Sequence, residues 1–438
     1  MDSAGTLPLI EKWSEEFRSL PAGPGPAWLG ELKKQAAAQF AATGLPNRKT
    51  EAWKYTPLRM LEQLAPQFLE AGSHQPATGR FPQPLCAAPA GTVYISDGLL
   101  SAALPETAPG LTLLPLNEGI AAFGMTLQQV LESIDTATPG NTFAALNTAF
   151  LDQGLVVRVG ENVKAGSLLI RWSFSGSDRV QMGNFRLVVL LEPGAELELI
   201  EQFESVGETS AALNIVTQVN LAEGAGFRHI RVQNESDSVV LLTSTSVEQA
   251  ARSKFQYSGF DLGGGLVRHA LSARLAGAGA EAGFDGAFVL DRKRHVDNHV
   301  SVDHAAPGCS SNQFFRGVLG GSSRGVFNGR ALIRPGADGS SVRQSNANLL
   351  LSALAEMDTK PELEIYADEV EASHGATVGQ LDETAIFYLR SRGLSEDQAR
   401  RILTMAFCHS VTDRLTDRDL AERISVMIDA AMPDKGSE

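Results

Sequence analysis

Near the start of the chain, Ile10, Trp13, Phe17 and Leu20 recur at three- and four-residue steps, the apolar stripe of a helix. Pro21-Ala22-Gly23-Pro24-Gly25-Pro26 breaks it, and Trp28, Leu32, Ala36 and Phe40 predict a second helix closed near Gly44. Residues 72–90, rich in Pro, Gly and Ala, read as a linker leaving this helical cap. From about residue 150 the period becomes two. Gly154–Val159, Phe185–Leu191 and Ala195–Ile200 predict strands. Turn signals separate them around Gly166, Gly194, Gly224, Gly279 and Gly336. The first three lie 28 and 30 residues apart, and Gly279 follows at about twice that interval. With no 10–15-residue helices between them, strand–turn cassettes at this spacing predict stacked coils of a β-solenoid. A β-sandwich shares short strands and glycine turns, but a strand region running to about residue 380 is long for one sandwich. The tail returns to helix. Ser395-Glu396-Asp397-Gln398 has the form of a capping box, after which Ala399, Leu403, Ala406 and Ser410 share a face. Beyond Thr416-Asp417, the residues Leu420, Ile424, Met427, Ile428 and Ala431 form another stripe. The expected layout is a helical domain with linker over 1–90, a mainly β solenoid core over 91–380, and a helical domain over 381–438.

Composition narrows the function classes. The 438 residues carry 51 acidic and 37 basic side chains, a net charge of −14, which argues against a dedicated nucleic-acid binder. No apolar run approaches the roughly 20 residues that span a bilayer, so no membrane is expected as a partner. The start has neither a basic nor an apolar signal region, and the cytoplasm is the expected compartment. The three cysteines, Cys86, Cys309 and Cys408, are too few and too scattered for a disulfide framework. They also cannot make a four-thiolate iron–sulfur site within one chain; any cluster here would be transient or shared across an interface. Of the 42 glycines, 16 fall within 255–345, whereas 385–435 contains Gly393 alone. Gly-Lys never occurs, which excludes a P-loop nucleotide hydrolase.

Two stretches hold candidate chemistry. In His295–His304, the residues His295, Asp297, His299, Ser301 and Asp303 alternate with Asn298 and valines, so a strand places them on one face. Imidazole and carboxylate at such positions can hold a divalent metal; alternation alone also describes a polar solvent face over an apolar core. The metal reading would make the chain a metal-dependent β-solenoid polysaccharide lyase or hydrolase. Cys309, in a turn just beyond, reads as a small buried corner residue rather than a nucleophile. His374 stands before Gly375 where the β region ends, downstream of the outward acids Glu362, Glu364 and Asp368. On its residues alone, a structural role for it is favoured.

Longer segments carry a resemblance. Asp358-Thr359-Lys360-Pro361-Glu362-Leu363-Glu364-Ile365-Tyr366-Ala367-Asp368-Glu369-Val370, then Ser373-His374-Gly375-Ala376-Thr377-Val378-Gly379 and Ile386–Gly393, resemble the SufD branch of the SufB/SufD family. That family serves iron–sulfur cluster assembly in the SUF system. Pro46–Thr56 and Gly325–Arg330, followed by Gln344–Leu350, are similar to the same family. The resemblance implies a right-handed parallel β-helix between helical ends, and a non-enzymatic scaffold in a complex with a SufB-like β-helix subunit and a SufC-like ABC-type ATPase. It implies that His374 offers iron a ligand in a transient cluster shared with the SufB-like subunit. It also implies that the helical tail, with Ser395, Leu403, Phe407, Leu420 and Ile424, faces the ATPase. No cofactor is then expected to stay bound to the isolated chain, and a flavin belongs to the assembled complex alone. Family members often carry Cys two residues before the histidine; Ala372 stands there in this chain. Because the two β-helix subunits are related, their surfaces also suit a homodimer of the isolated chain.

Overall fold

The computed structural model describes residues 6–19, 25–68, 83–138, 140–174, 180–205 and 207–433. Leu20, residues 21–24 of the expected helix break and residues 72–82 of the expected linker lie outside them. The predicted first stripe forms α1 (Thr6–Ser19), with Trp13 fully buried. The second forms α2 (Ala27–Thr43), ended by Gly44 at a φ of 66°. A 3₁₀ turn (Glu51–Trp53), α3 (Arg59–Leu64) and β1 (Gln67–Phe68) follow. After these come β2 (Gly91–Ser96), β3 (Leu99–Leu100), β4 (Leu111–Pro115), α4 (Leu116–Glu132) and α5 (Thr142–Ala149).

From there the chain winds as a solenoid, laying successive strands alternately in two sheets. The first sheet takes β5 (Gln153–Val159), then every second strand, with β6 (Lys164–Phe174) opening the other. In chain order the next are β7 (Gln181–Leu191), β8 (Glu196–Ser205), β9 (Ala211–Leu221), β10 (Gly226–Asn234) and β11 (Val239–Gln249). β12 (Lys254–Asp261), β13 (Leu266–Leu275), β14 (Glu281–Leu290), β15 (His295–His304) and β16 (Ser310–Leu319) continue the pattern. The last coils are β17 (Arg324–Ile333), β18 (Ser341–Leu350), β19 (Glu356–Ile365) and β20 (Glu371–Gly379). Each strand pairs in parallel with the strand one coil away, so equivalent residues stack along the axis. The expected solenoid is therefore what forms, and a sandwich is not.

Stacking fills the lumen with like on like. Trp172 lies flat on Phe203 at 5.2 Å, and Phe227, Phe255 and Phe284 follow one another along the second sheet. Each such ring taken from water contributes about 1.5–3 kcal/mol. Glycine serves this packing as well as the corners. Gly194 and Gly224 turn the chain at a φ of 68°, where a side chain would be strained. Gly286 and Gly317 instead face inward, and a Cβ on either would sit 2.2 Å from the ring of Phe315 or Phe288. A polar layer interrupts the apolar lumen: Glu201 accepts from Trp172 and faces His229 at 2.7 Å, while Asp261 faces His269 at 2.9 Å.

Helices cover the outer faces. Trp13, Phe40, Trp53, Leu61 and Phe143 pack on Met182, Ala212, Val240 and Leu266 of the first sheet. α4 covers Val156 and Val188 beside them. Neither α4 nor α5 was expected from the sequence. Every residue of α5 is buried, so it carries no polar face to give it a period. The second sheet is covered by α7 (Glu396–Thr412) and α8 (Arg418–Ala431), reached through α6 (Glu383–Ser391). Ser395 and Gln398 form the expected capping box of α7. The buried line on α7 is Ala399, Thr404, Cys408 and Val411, displaced from the expected one: Ala406 is exposed, and Leu403 and Ser410 are half-buried.

This packing corrects part of the assignment of the tail to a partner. Leu420 and Ile424 are buried against the protein's own second sheet, in a cluster with Ile200, Ile230, Phe260 and Val289. They hold the tail to the solenoid and are not at its surface. Arg414 adds a polar clasp: its Nε donates to Asp285 at 2.8 Å, and its guanidinium lies 4.7 Å from the Phe314 ring. Burial raises the Asp285 carboxyl to about 6, against the opposing charge of Arg414. Arg414→Ala strands that carboxylate. The expected cost is roughly 2 kcal/mol near pH 7.5, below that of a fully buried pair because Arg414 is partly exposed. Without Arg414 the carboxyl is raised further, so the folded variant takes up its proton at higher pH than wild type and the penalty shrinks as pH falls towards about 6. Urea unfolding of both proteins on either side of that value checks it; a pH-independent penalty contradicts the clasp.

Candidate functional site

The two ends of the solenoid are finished differently. At the first end, β4 lies antiparallel on β5 and the two-residue β3 antiparallel on β2, so the outermost strand of each sheet reverses direction there. At the other end, β19 and β20 are the outermost strands of their sheets, so one edge of each has no partner strand among the described residues. The β19 edge carries Pro361, which has no N–H to offer. Its outward side chains are charged and most are engaged, as Lys360 is with Glu51 at 3.1 Å and Glu364 with Arg330 at 2.7 Å. The β20 edge is undefended. After Glu371 it runs Ala-Ser-His-Gly-Ala-Thr-Val-Gly, small and uncharged apart from its histidine, and is exposed except at half-buried Ala376. Exposed Leu354, Tyr366, Val378 and Phe387 cluster in the same part of the sequence.

His374 lies in the middle of this strand. The register pairs it with Gln344, and Gln344 with Gln313, which shares the lumen-facing parity of Phe315. His374 therefore stands at the mouth of the lumen. It also differs from the other histidines. Among the described residues, His229 faces Glu201, His269 faces Asp261, His295 faces Thr56, His304 faces Ser311 and His409 faces Asp429, at 2.7–3.2 Å. His299 lies 3.0 Å from Asp297. His374 has no such partner among the described residues, and it is exposed. His74 lies outside them. An exposed imidazole needs only one unprotonated nitrogen to accept a metal or a proton.

The segment His295–His304 has another occupation. His295, Asp297, His299, Ser301 and Asp303 do share the outward face of β15, but this is not simply a solvent face. Asp297 is fully buried beneath the N-terminal segment, paired with Arg268, and accepts from the Thr56 hydroxyl at 2.5 Å. Arg268 also donates to the Ala52 carbonyl at 2.8 Å and lies 4.1 Å from the Trp53 ring. Burial works to raise the Asp297 carboxyl, but the charges of Arg268 and His299 and the bonds from His299 and Thr56 hold it well below the carboxylate range. Burial also lowers His295 to about 4, so it stays neutral. Thus the candidate metal ligands anchor the Glu51–Thr56 turn, and no three His, Cys, Asp or Glu among the described residues converge as a metal site. His299, Ser301 and Asp303 line an open groove of about 720 Å³ beside Trp53.

The thiols are placed away from the open end. Cys309 is buried in a coil corner, its Sγ 3.4 Å from the Gly277 carbonyl, and Cys408 is buried under the tail, where burial raises it to about 12. Both are protonated and shielded, and half-buried Cys86 packs on the outer face of the second sheet, which leaves nitrogen and oxygen as the donors at the solenoid mouth. Sequence reasoning missed Gln313 and Gln344 beneath His374. Their signal was available: Ser341–Leu350 is polar at both parities, so its inward face cannot be a dry core.

The family described as "SUF system FeS cluster assembly, SufBD core domain" matches residues 174–407. The chain is 28% identical over 403 residues to the iron–sulfur cluster assembly protein SufD of Escherichia coli, covering 91% of this chain and 92% of that one. It is 28% identical over 406 residues to a SufBD family protein of Synechocystis, covering 90% and 89%. The chloroplastic protein ABCI7 of Arabidopsis thaliana is 26% identical over 438 residues, covering 95% and 88%.

The Asp297 anchor has a measurable consequence. Asp297→Ala leaves the Arg268 guanidinium buried without its anion, at an expected cost of about 3–5 kcal/mol. The Glu51–Thr56 turn should then become the first site of limited proteolysis. Equal resistance there in wild type and variant contradicts the anchoring role.

Proposed function

The chain belongs to the SufBD family of SUF iron–sulfur cluster assembly, and on that premise we propose that it is a non-enzymatic scaffold subunit that presents His374 to a nascent cluster. The observation that carries this reading is the state of His374: exposed, unpartnered among the described residues, and set in the uncharged part of an undefended edge strand. The cluster is cargo, assembled and passed on. A ligand set split between two subunits suits such cargo, because separating the subunits dismantles the site. His374 supplies one nitrogen, and the thiolates come from the other chain, since Ala372 offers none and both buried cysteines are out of reach.

The second subunit is a SufB-like β-helix. It meets the free edges of β19 and β20, continuing both sheets across the junction, with the uncharged β20 edge as the main site of strand addition. The same edges account for a homodimer of the isolated chain. The third subunit, a SufC-like ATPase, docks on the outer side of the tail. Leu420 and Ile424 face inward, which leaves Phe387 and Tyr388 on α6, Ile402 on α7 and Val426 on α8 as the apolar contacts, with half-buried Leu403 and Phe407 beside them and Ser395 capping α7. Movement of the ATPase then reaches the second sheet through the cluster of Ile424, Val411 and Phe260, because packed apolar interfaces move as units.

Co-expression of His374→Ala with the SufB- and SufC-like subunits tests the assignment. The complex should still assemble, and its iron and acid-labile sulfide should fall several-fold. Unchanged cluster content in an intact complex contradicts the ligand role.

A further inference from the structure

Gln313, Gln344 and His374 form one row on β16, β18 and β20, aligned through successive in-register pairs. Neighbouring rungs lie roughly 4.8 Å apart, the spacing at which stacked glutamine carboxamides bond one to the next. Gln313 is fully buried and Gln344 is 4% exposed. Three of their polar atoms lack partners: Oε1 of Gln313, and both Oε1 and Nε2 of Gln344. Buried amides are rarely left unpaired, so three such atoms in one row require an account.

One arrangement meets all three. Gln313 directs its Nε2 at the Arg330 carbonyl, 3.5 Å away, and a carbonyl can only accept. That fixes the direction of the row from its inner end. Gln313 Oε1 is left to accept from Gln344 Nε2, and Gln344 Oε1 to accept from His374. Of the two imidazole nitrogens, Nδ1 is bonded to the ring carbon that carries the side chain, so it lies nearer the backbone than Nε2 does.

We propose that Gln344, backed by Gln313, is a positioning residue that holds the His374 proton on Nδ1 and leaves Nε2 unprotonated at the mouth of the lumen. Its purpose rests on the reading of His374 as a ligand. Metal-binding histidines characteristically donate their second ring N–H to a fixed acceptor, which selects the tautomer and orients the ring. Here the acceptor belongs to this chain and is in place before any cargo arrives. The row also accounts for polar residues in a lumen that is otherwise closely packed: they form a track with one donor and one acceptor per rung, ending on the imidazole.

The test is spectroscopic and needs no iron. Full-length protein labelled with ¹⁵N-histidine is examined where imidazoles are neutral, with the His374 signals assigned by their loss in His374→Asn. Wild type should show His374 as the Nδ1–H form. Gln344→Met, which keeps the length but removes the acceptor, should return it to the Nε2–H form usual in water. Gln344→Glu, which retains an acceptor, should keep Nδ1–H. An Nε2–H form in folded wild type overturns the proposal, even if the Met variant does not fold; so does an Nδ1–H form that survives in folded Gln344→Met. If the tautomer responds as expected while His374→Ala leaves cluster assembly unimpaired, the positioning stands and the ligand reading falls.

Discussion

Each strand of a parallel solenoid bonds to the coil before it and the coil after it, so the last coil has backbone donors and acceptors that no further coil meets. The rest of this molecule is arranged around that unfinished edge. Antiparallel strands end both sheets on the first side, helices cover both outer faces, and the lumen is filled with stacked apolar side chains. At the other end the β19–β20 coil is outermost, and no strand among the described residues pairs with its outer edges. Of its two strands, one carries a proline and engaged charges, and the other presents small uncharged residues around a histidine.

That asymmetry separates stability from chemistry. The apolar stacks and the Arg268–Asp297 and Arg414–Asp285 pairs act away from the mouth, holding helical segments to rigid sheets. Histidines placed there are engaged and serve the fold. At the mouth the order reverses: the β20 side chains are exposed, and no carboxylate or hydroxyl among the described residues faces His374. A scaffold for transient cargo needs such a place, rigidly held from behind and incomplete in front.

The solenoid was legible because its two signals, alternation and corner glycines, arise from the geometry that makes coils stack. Helices with one apolar stripe were legible for the same reason, as Trp13 and the Ser395 capping box show. α5 was not, because a helix buried all round has no stripe. The direction of the tail was misjudged in part: an apolar stripe states that a face is covered, without saying by what, and Leu420 and Ile424 prove to be covered by the chain itself. The face of His295, Asp297 and His299 was placed correctly on one side of a strand. Its burial depended on residues about 240 positions earlier, the distance that separates Thr56 from Asp297, and alternation within one strand carries no such information. His374 was singled out through resemblance; its lack of partners emerges only when all the described histidines are compared in space.

In the proposed function the open coil is the assembly face. Amide hydrogen exchange, followed across the whole chain alone and in complex with the SufB-like subunit, tests it most directly. Protection gained over residues 371–379 on complex formation, with the corners around Gly194 and Gly224 unchanged, is the predicted result. Protection that appears elsewhere while 371–379 exchanges as fast as in the isolated chain would contradict it.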